Sequence, residues 1–577
     1  MVMKNNRIFI YLGPLLIAAG LFCSCERFFD VQPQDQLTPE KHYRDVYDAN
    51  AAVRGIYGKL ITLAEQYVVL NELRADLMDV TYNADIYLRQ INQHEEISPD
   101  NPYADPQPFY AIINDCNDVL YNFNIMLKDL KFSREEYNQR YSDIQTLRSW
   151  LYLQLAIHFG NVPYITEPID LVDDLAKLTD GTYPALSLEV MIDTLIVVME
   201  SLPHLALYTD PSFRTVIDGY NTRIMFIDKE FFLGDLYLWK GDYERAASYY
   251  KYVMERNIGQ NNYDSYKCCY GDVYTLTKFN SGYVRYYYMD EYSALNNWPL
   301  MFSAEPSTDY YDEWMWALYF LDNYPPENPF LDMFSKQYGN YLLKPAEGIM
   351  ELWDAQVQRN GFLRDFRGNT GSYEMVGEDP VITKFISSYD PLKPFEKGGQ
   401  WHLWRTGQIH LRFIEAANRD GQHRVAMALL NSGIQAEFRG DASAVDITYL
   451  QRTNLPFPYD FDARKGETWQ IPLGVRGLWH RNTGIRGRVY LANYSIPEAS
   501  DSLMLIENLV LDETAMELAF EGHRWEDLVR ISIRRNDPAI LADRIYDKLV
   551  RSGYAGAEDV RTKLMNRENW FLPLKID

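Results

Sequence analysis

Apolar residues recur at helical spacing along most of this chain. From Asp48 to Leu63 they fall at Val53, Ile56, Tyr57, Leu60 and Leu63, one face of an amphipathic helix. Gln145 to Phe159 reads as a more apolar helix, stopped by Gly160-Asn161 and Pro163, and another lies near 111–130. Between 227 and 260, Gly234, Tyr237, Gly241, Tyr243, Ala246 and Tyr250 follow the spacing of a tetratricopeptide helix pair. Gly241-Asp242 is the turn, and Ala246 is small where the two helices approach. A second pair is centred on Gly421, with Ala426 and Leu430 at the same offsets. Such pairs cannot bury their apolar faces alone. The pattern therefore predicts a stack that also takes in the helices near 48–63, 111–130 and 145–159.

Helical periodicity fades over 261–400, where Gly, Pro and aromatic residues are scattered, among them Tyr283, Tyr286, Tyr287, Tyr288, Trp298, Trp314 and Trp316. This stretch is expected to be irregular, with short strands laid against the helices. The fold class that follows is mostly α: a tetratricopeptide-like helix-pair stack with a large, loop-rich region containing short strands. The organisation expected is a leader at 1–24, a helical N-terminal region at 25–260, the aromatic-rich region at 261–400 and a C-terminal region at 401–577. Residues 25–577 should form one compact unit.

Charge narrows the choice of partner. The net charge is −25, with 56 basic against 81 acidic side chains, so the chain lacks the basic surface that nucleic acid or anionic lipid head groups require. The leader sets the compartment. Lys4 and Arg7 precede an apolar run from Ile8 to Phe22, which is short for a membrane span and has the length of a signal-peptide core. Ser24 before Cys25 supplies the small residue that lipoprotein processing needs, which makes Cys25 the expected lipid-bearing N-terminus. More than one acyl chain there would anchor stably. Cys116, Cys268 and Cys269 form no Cys-x-x-Cys pair and read as structural thiols, so neither a metal site nor a redox motif is expected.

The segment with the densest chemistry is Glu517-Leu-Ala-Phe-Glu521-Gly-His-Arg524-Trp-Glu-Asp527-Leu-Val-Arg530. These spacings place Glu517, Glu521, Arg524, Asp527 and Arg530 on one helix face, where they pair with one another. Two nearby carboxylates could also be the acid and nucleophile of a glycosidase. Arg partners would keep both ionised, so a structural ion network is the expectation, with Arg524 serving Glu521 or Asp527. Asp365 and Arg367 read as a local structural pair. His402 and His410 lack metal-ligand spacing. No P-loop and no Gly-x-Ser-x-Gly occurs, and no cofactor is expected.

The segment resembles the C-terminal signature of the SusD/RagB family, Glu-Leu-x-Phe-Glu-Gly-x-Arg-aromatic-x-Asp-Leu-x-Arg. So do its flanks: Gly487-Arg488-Val489, Arg534-Arg535-Asn536-Asp537-Pro538 and Asn569-Trp570-Phe571-Leu572-Pro573. The mature start also fits, as Cys25-x-x-Phe28-x-Asp30-x-x-Pro33-x-Asp35-x-Leu37-Thr38, and so does Gly160-Asn161-Val162-Pro163. The resemblance implies a non-enzymatic nutrient-capture lipoprotein of the outer membrane, facing the cell exterior. Its implied partner is a SusC-like TonB-dependent transporter, and its ligand a glycan or a peptide. A surface-anchored hydrolase and a helical-repeat scaffold are the rival functions. Family ligands bind on loops that leave the stack, which here directs attention to 74–103 and to the aromatics of 283–316. Tyr82, Asn83, Asn101, Tyr103, Trp298 and Trp314 are the candidate ligand residues, on the expectation that the two stretches meet. The competing role for Arg74 and Asp76 is a buried pair that holds the first loop.

Overall fold

The computed structural model describes residues 43–574, apart from 170–181, 256–297, 303–312, 441–449, 465–476, 496–501 and positions 209–210, 214, 218–219, 300, 323 and 480–481. The leader, Cys25, the Cys268-Cys269 pair and the tyrosines at 283 and 286–288 lie outside the described residues.

The described residues are mostly helical. The principal helices are α1 (Val46–Leu60), α2 (Gln107–Lys128), α3 (Arg134–Phe159), α4 (Leu188–Glu200), α5 (Lys229–Lys240), α6 (Tyr243–Glu255), α7 (Thr406–Arg419), α8 (His423–Leu430), α9 (Ser502–Leu518), α10 (Arg524–Arg535), α11 (Ala539–Arg551) and α12 (Ala557–Leu564). Each of the first seven packs on its neighbours in turn. α1 meets α2, α2 meets α3, then α4, α5, α6 and α7 follow, and α7 carries both α8 and α9. One continuous buried cluster runs from Tyr43 to Leu572.

The tetratricopeptide-like reading of α5 and α6 holds in detail. Gly241 takes a left-handed φ of +84° at the turn, which glycine adopts without steric cost. A Cβ at Gly234 would lie 2.8 Å from the Tyr250 ring, so the close approach of the two helices depends on a bare backbone there. Gly421 does the same service between α7 and α8, at φ +76°.

α3 differs from expectation at its start. It begins at Arg134, eleven residues before the apolar run, where Ser133 and Glu136 form a reciprocal capping box. From Ser142 to Phe159 it is buried on every side, so no amphipathic stripe marks it. It ends at Gly160 as expected, at φ +75°, against the Phe571 ring.

Six strands matter for the site: β1 (Met78–Val80), β2 (Trp314–Phe320), β3 (Leu343–Pro345), β4 (Tyr373–Val376), β5 (Asp379–Ile382) and β6 (Gly399–Arg405). All pair antiparallel in two-stranded ribbons. β1 pairs with β3, opposing Asp79 and Lys344; β4 and β5 form a hairpin, opposing Glu374 and Val381; β2 pairs with β6, opposing Trp314 and Arg405. The β2–β6 ribbon is buried, and Trp316 on it packs against Trp150 of α3 and Trp404. Its Arg405 end reaches the C-terminal end of α9.

Candidate ligand-binding face

Two loops and one hairpin come together on one side of the molecule. After β1 the chain turns at Thr81, whose amide donates to the Leu342 carbonyl (2.9 Å) and whose hydroxyl donates to the Tyr341 carbonyl. Asn83 Nδ2 donates to the Asn340 carbonyl at 2.9 Å, so the 81–83 turn is tied to the 335–341 loop. That loop is tied in turn to the β4–β5 hairpin. Tyr341 Oη donates to the Pro380 carbonyl (2.8 Å), and Lys336 pairs with Asp379. The Asp379 hydrogen bond holds the Lys336 ammonium above its ordinary pKa.

Between the loop and the hairpin lies an open cleft of about 270 Å³. Its aromatic wall is Tyr338, 41% exposed, with Tyr389 at a ring-centroid distance of 5.2 Å. Its polar lining includes Gln337, Thr370, Thr383, Ser387 and Glu374, and its floor is apolar through Leu331 and Val381. Tyr82, 69% exposed, stands edge-on to Tyr341 at 6.3 Å on the adjoining rim.

The six sequence candidates are therefore divided. Tyr82 and Asn83 are exposed on this face. Asn101 is buried and caps the 102–104 turn, accepting from Tyr103 N (3.0 Å) and donating to the Tyr87 carbonyl (3.1 Å). Tyr103 is 9% exposed, and its hydroxyl donates to Glu65 at 2.8 Å. Trp298 and Trp314 belong to a small second core with Met301 and Phe302. Trp314 stacks on His402 at 3.7 Å, and Trp298 donates to Ser372 Oγ at 3.2 Å. Both indoles are buried, so neither offers a ring to a ligand; most of the 283–316 stretch lies outside the described residues. The 81–83 turn meets the 335–341 loop instead. Sequence reasoning passed over Lys336, Tyr338, Tyr341 and Tyr389. Their one legible signal is Tyr338-Gly-Asn-Tyr341, aromatics around a turn, in a stretch with many such aromatics.

The charged segment also rearranges. The helix is not continuous through it: α9 ends at Leu518 and α10 starts at Arg524, with Phe520 at φ +74° and Gly522 at φ +92° between them. Glu72 accepts the Phe520, Gly522 and His523 amides of this turn at 2.8–3.0 Å. Glu517 and Glu521 therefore find partners elsewhere. Arg405 reaches both (2.8 Å each), Arg367 and Arg488 reach Glu517, and Lys384 reaches Glu521 (2.7 Å). Burial alone would raise both carboxyls. The guanidiniums of Arg488, Arg405 and Arg367 hold Glu517 well below the usual range, and Arg405 with Lys384 brings Glu521 to about 2.

Arg524 serves neither Glu521 nor Asp527, contrary to expectation. It makes a two-pronged pair with Asp76 at 2.6 and 2.8 Å. Arg74, expected to take Asp76, lies over the Trp525 ring at 4.0 Å. Asp527 pairs with Arg412 and Arg530. Arg367 does pair with Asp365, at 2.6 Å. Burial pulls His402 to about 3 and His410 to about 4, so both are neutral core residues. Cys116 is a buried free thiol. Among the described residues no cluster of His, Cys, Asp and Glu is arranged to hold a metal ion, and no helix is long and apolar enough to cross a membrane.

The model of the SusD family matches residues 483–574, the part that carries Arg486, Arg488, Glu513, Glu517, Glu521 and Arg524. No curated protein matches the sequence. Among solved structures, a SusD superfamily protein from Bacteroides vulgatus ATCC 8482 shares the fold at TM-score 0.56 and 15% identity, over 90% of this chain and 92% of that one. Surface glycan-binding protein A from Bacteroides uniformis does so at TM-score 0.56 and 15% identity, over 92% and 96%. A SusD-like carbohydrate binding protein from Bacteroides vulgatus ATCC 8482 follows at 0.52 and 15%, over 85% and 84%.

Proposed function

We propose, from the premise that this chain is of the SusD/RagB family in its C-terminal segment and in its fold, that it is a cell-surface saccharide-binding protein. The ligand would sit in the cleft walled by Tyr338 and Tyr389, with Tyr82 on its rim. One observation carries this reading: an exposed Tyr338 ring against a half-buried Tyr389 ring, beside hydroxyls and an amide, on loops that leave a rigid helical stack. Tyr rings offer flat apolar faces to the C–H faces of a sugar at low entropic cost. Gln337, Thr370, Thr383 and Ser387 can both donate to and accept from sugar hydroxyls. A cleft of about 270 Å³ is at the small end of ligand pockets, so it suits one or two units of a longer chain that continues across Tyr82. Two solved structures that share the fold are described as carbohydrate or surface glycan binders, which supports a glycan over a peptide.

The reading extends to the cell. The leader 1–24 would direct export, Cys25 would carry the lipid, and the domain would face outward, handing its ligand to a SusC-like TonB-dependent transporter. It requires no covalent chemistry. Glu517 and Glu521, the carboxylates that could have formed a glycosidase pair, are buried and held by guanidinium and ammonium groups. The test is paired. On an oligosaccharide found by glycan-array screening, Tyr338→Ala and Tyr82→Ala should each weaken capture roughly three- to tenfold with unchanged melting. Trp298→Ala should lower the melting temperature instead. Full affinity in both tyrosine variants would remove the site from this face.

A further inference from the structure

We infer that this cleft favours uncharged saccharides over acidic ones, and that Glu374 on the β4–β5 hairpin sets that preference while Asp379 neutralises Lys336. The inference rests on the saccharide reading of the cleft and adds the class of saccharide to it. Among the described residues lining the cleft, one is cationic and one anionic: Lys336 and Glu374. Lys336 would be the natural partner for a sugar carboxylate or sulfate. Its Nζ is already engaged, in the pair with Asp379 and in a hydrogen bond to the Val376 carbonyl at 3.4 Å. Glu374 is exposed in the wall, and Glu378, also exposed, caps the hairpin beside Asp379. An anionic ligand would thus meet Glu374 in one wall, with the one cation among the described lining residues paired to Asp379. The remaining polar groups are hydroxyls and an amide, which recognise neutral sugar hydroxyls without a charge requirement.

The magnitude follows from Coulomb's law. Two like charges about 6 Å apart in a water-like medium repel enough to cost about threefold in affinity, and considerably more where bound sugar excludes water. The Lys336–Asp379 pair is neutral as a unit, so the uncompensated Glu374 charge gives roughly threefold or more. The net charge of −25 acts in the same direction at longer range. Screening by salt weakens exposed charge pairs, so the discrimination should shrink at high ionic strength.

The experiment uses the mature protein and matched oligosaccharides of one linkage: glucose against glucuronate, mannose against mannuronate, and galactose against galacturonate oligomers. Calorimetry at low ionic strength should favour the neutral member of a binding pair by about threefold or more, and high salt should narrow the ratio. In Glu374→Gln and in Glu374→Gln/Asp379→Asn the ratio should close stepwise, the second change also freeing Lys336. The single variant keeps the test informative if the double variant melts early. An acidic oligomer that binds as tightly as its neutral partner, in a manner still abolished by Tyr338→Ala, would overturn the selectivity and leave the saccharide reading standing. Binding of neither class would overturn the saccharide reading and this inference with it.

Discussion

Replacing Arg405 with Ala tests the charged core most directly. This guanidinium is fully buried and reaches three carboxylates. Its Nε donates to Glu521 Oε2 (2.8 Å), Nη1 to Glu517 Oε1 (2.8 Å) and Glu313 Oε1 (3.0 Å), and Nη2 to the Glu517 carbonyl (2.5 Å) and Glu521 Oε1 (3.1 Å). In the surrounding network Asp365, Glu313, Glu513, Glu517 and Glu521 are balanced by Arg367, Lys384, Arg405, Arg486 and Arg488. Arg405→Ala leaves a buried negative charge in excess. Removing one partner of a buried pair costs about 3–5 kcal/mol. Glu517 retains Arg367 and Arg488, and Glu521 retains Lys384, so about 4 kcal/mol is expected rather than a larger sum. At about 2.1 cal/mol/K per residue, a chain of this size has an unfolding entropy near 1 kcal/mol/K, so the melting temperature should fall only about 4 °C. Calorimetry resolves that easily. Arg405→Lys, which keeps a charge but loses the fork, should fall in between. Arg405→Met/Glu521→Gln should cost less than the two single changes added. A shift under about one degree for Arg405→Ala, or additivity in the double variant, would refute the reasoning.

Arg524→Ala should strand Asp76 and the Leu511 carbonyl and cost about 3–5 kcal/mol, with part recovered in Arg524→Ala/Asp76→Ala; thermal unfolding of the two variants checks it. The carboxylates also predict an acid limb. Glu521 titrates at about 2 in the folded state, below its ordinary value, so its contribution is full above about pH 4.5 and is lost as pH falls toward 2; unfolding followed between those values should show a loss that Glu521→Gln flattens. At the other end of the chain, Cys25→Ala should abolish lipidation and release the protein from membranes; retention after a high-salt wash would count against the anchor.

What could be read from sequence was local. The Gly234, Gly241 and Tyr250 spacing marks a helix pair because backbone geometry at a turn and a close approach admits few residue types. Gly160 stops α3 for the same reason. The start of α3 was harder: Arg134 to Tyr141 is polar enough to hide a helix, although Ser133 and Glu136 form its capping box. The charged segment failed in an instructive way. Helical spacing presumes a continuous helix, and the turn at Phe520 and Gly522 breaks it. Glu517 and Glu521 then pair with residues more than a hundred positions away in sequence, such as Arg405, which no periodicity encodes. The aromatic candidates failed for a related reason. Trp298 and Tyr338 each stand beside a single turn-forming residue, Pro299 and Gly339, and only the fold makes one a core residue and the other a surface ring.

The same distant pairs explain how an irregular region can present a defined cleft. The β4–β5 hairpin has no helix to hold it, and two-stranded ribbons are marginal alone. Both of its approaches carry a buried cation. Arg367, six residues before the hairpin, donates to Asp365, Glu513 and Glu517. Lys384, two residues after it, donates to Glu521 and lies near the Trp298 and Phe302 rings. Trp298 in turn donates to Ser372, the residue that enters β4. The hairpin is therefore fastened at one end to the C-terminal part of α9 and at the other to the turn between α9 and α10, both within the segment that the family match covers. Buried ion pairs add little net stability over a well-packed apolar core, but they fix which groups meet. Here they set the positions of Glu374, Asp379, Val381 and Thr383, and with them the wall of the cleft that faces Tyr338.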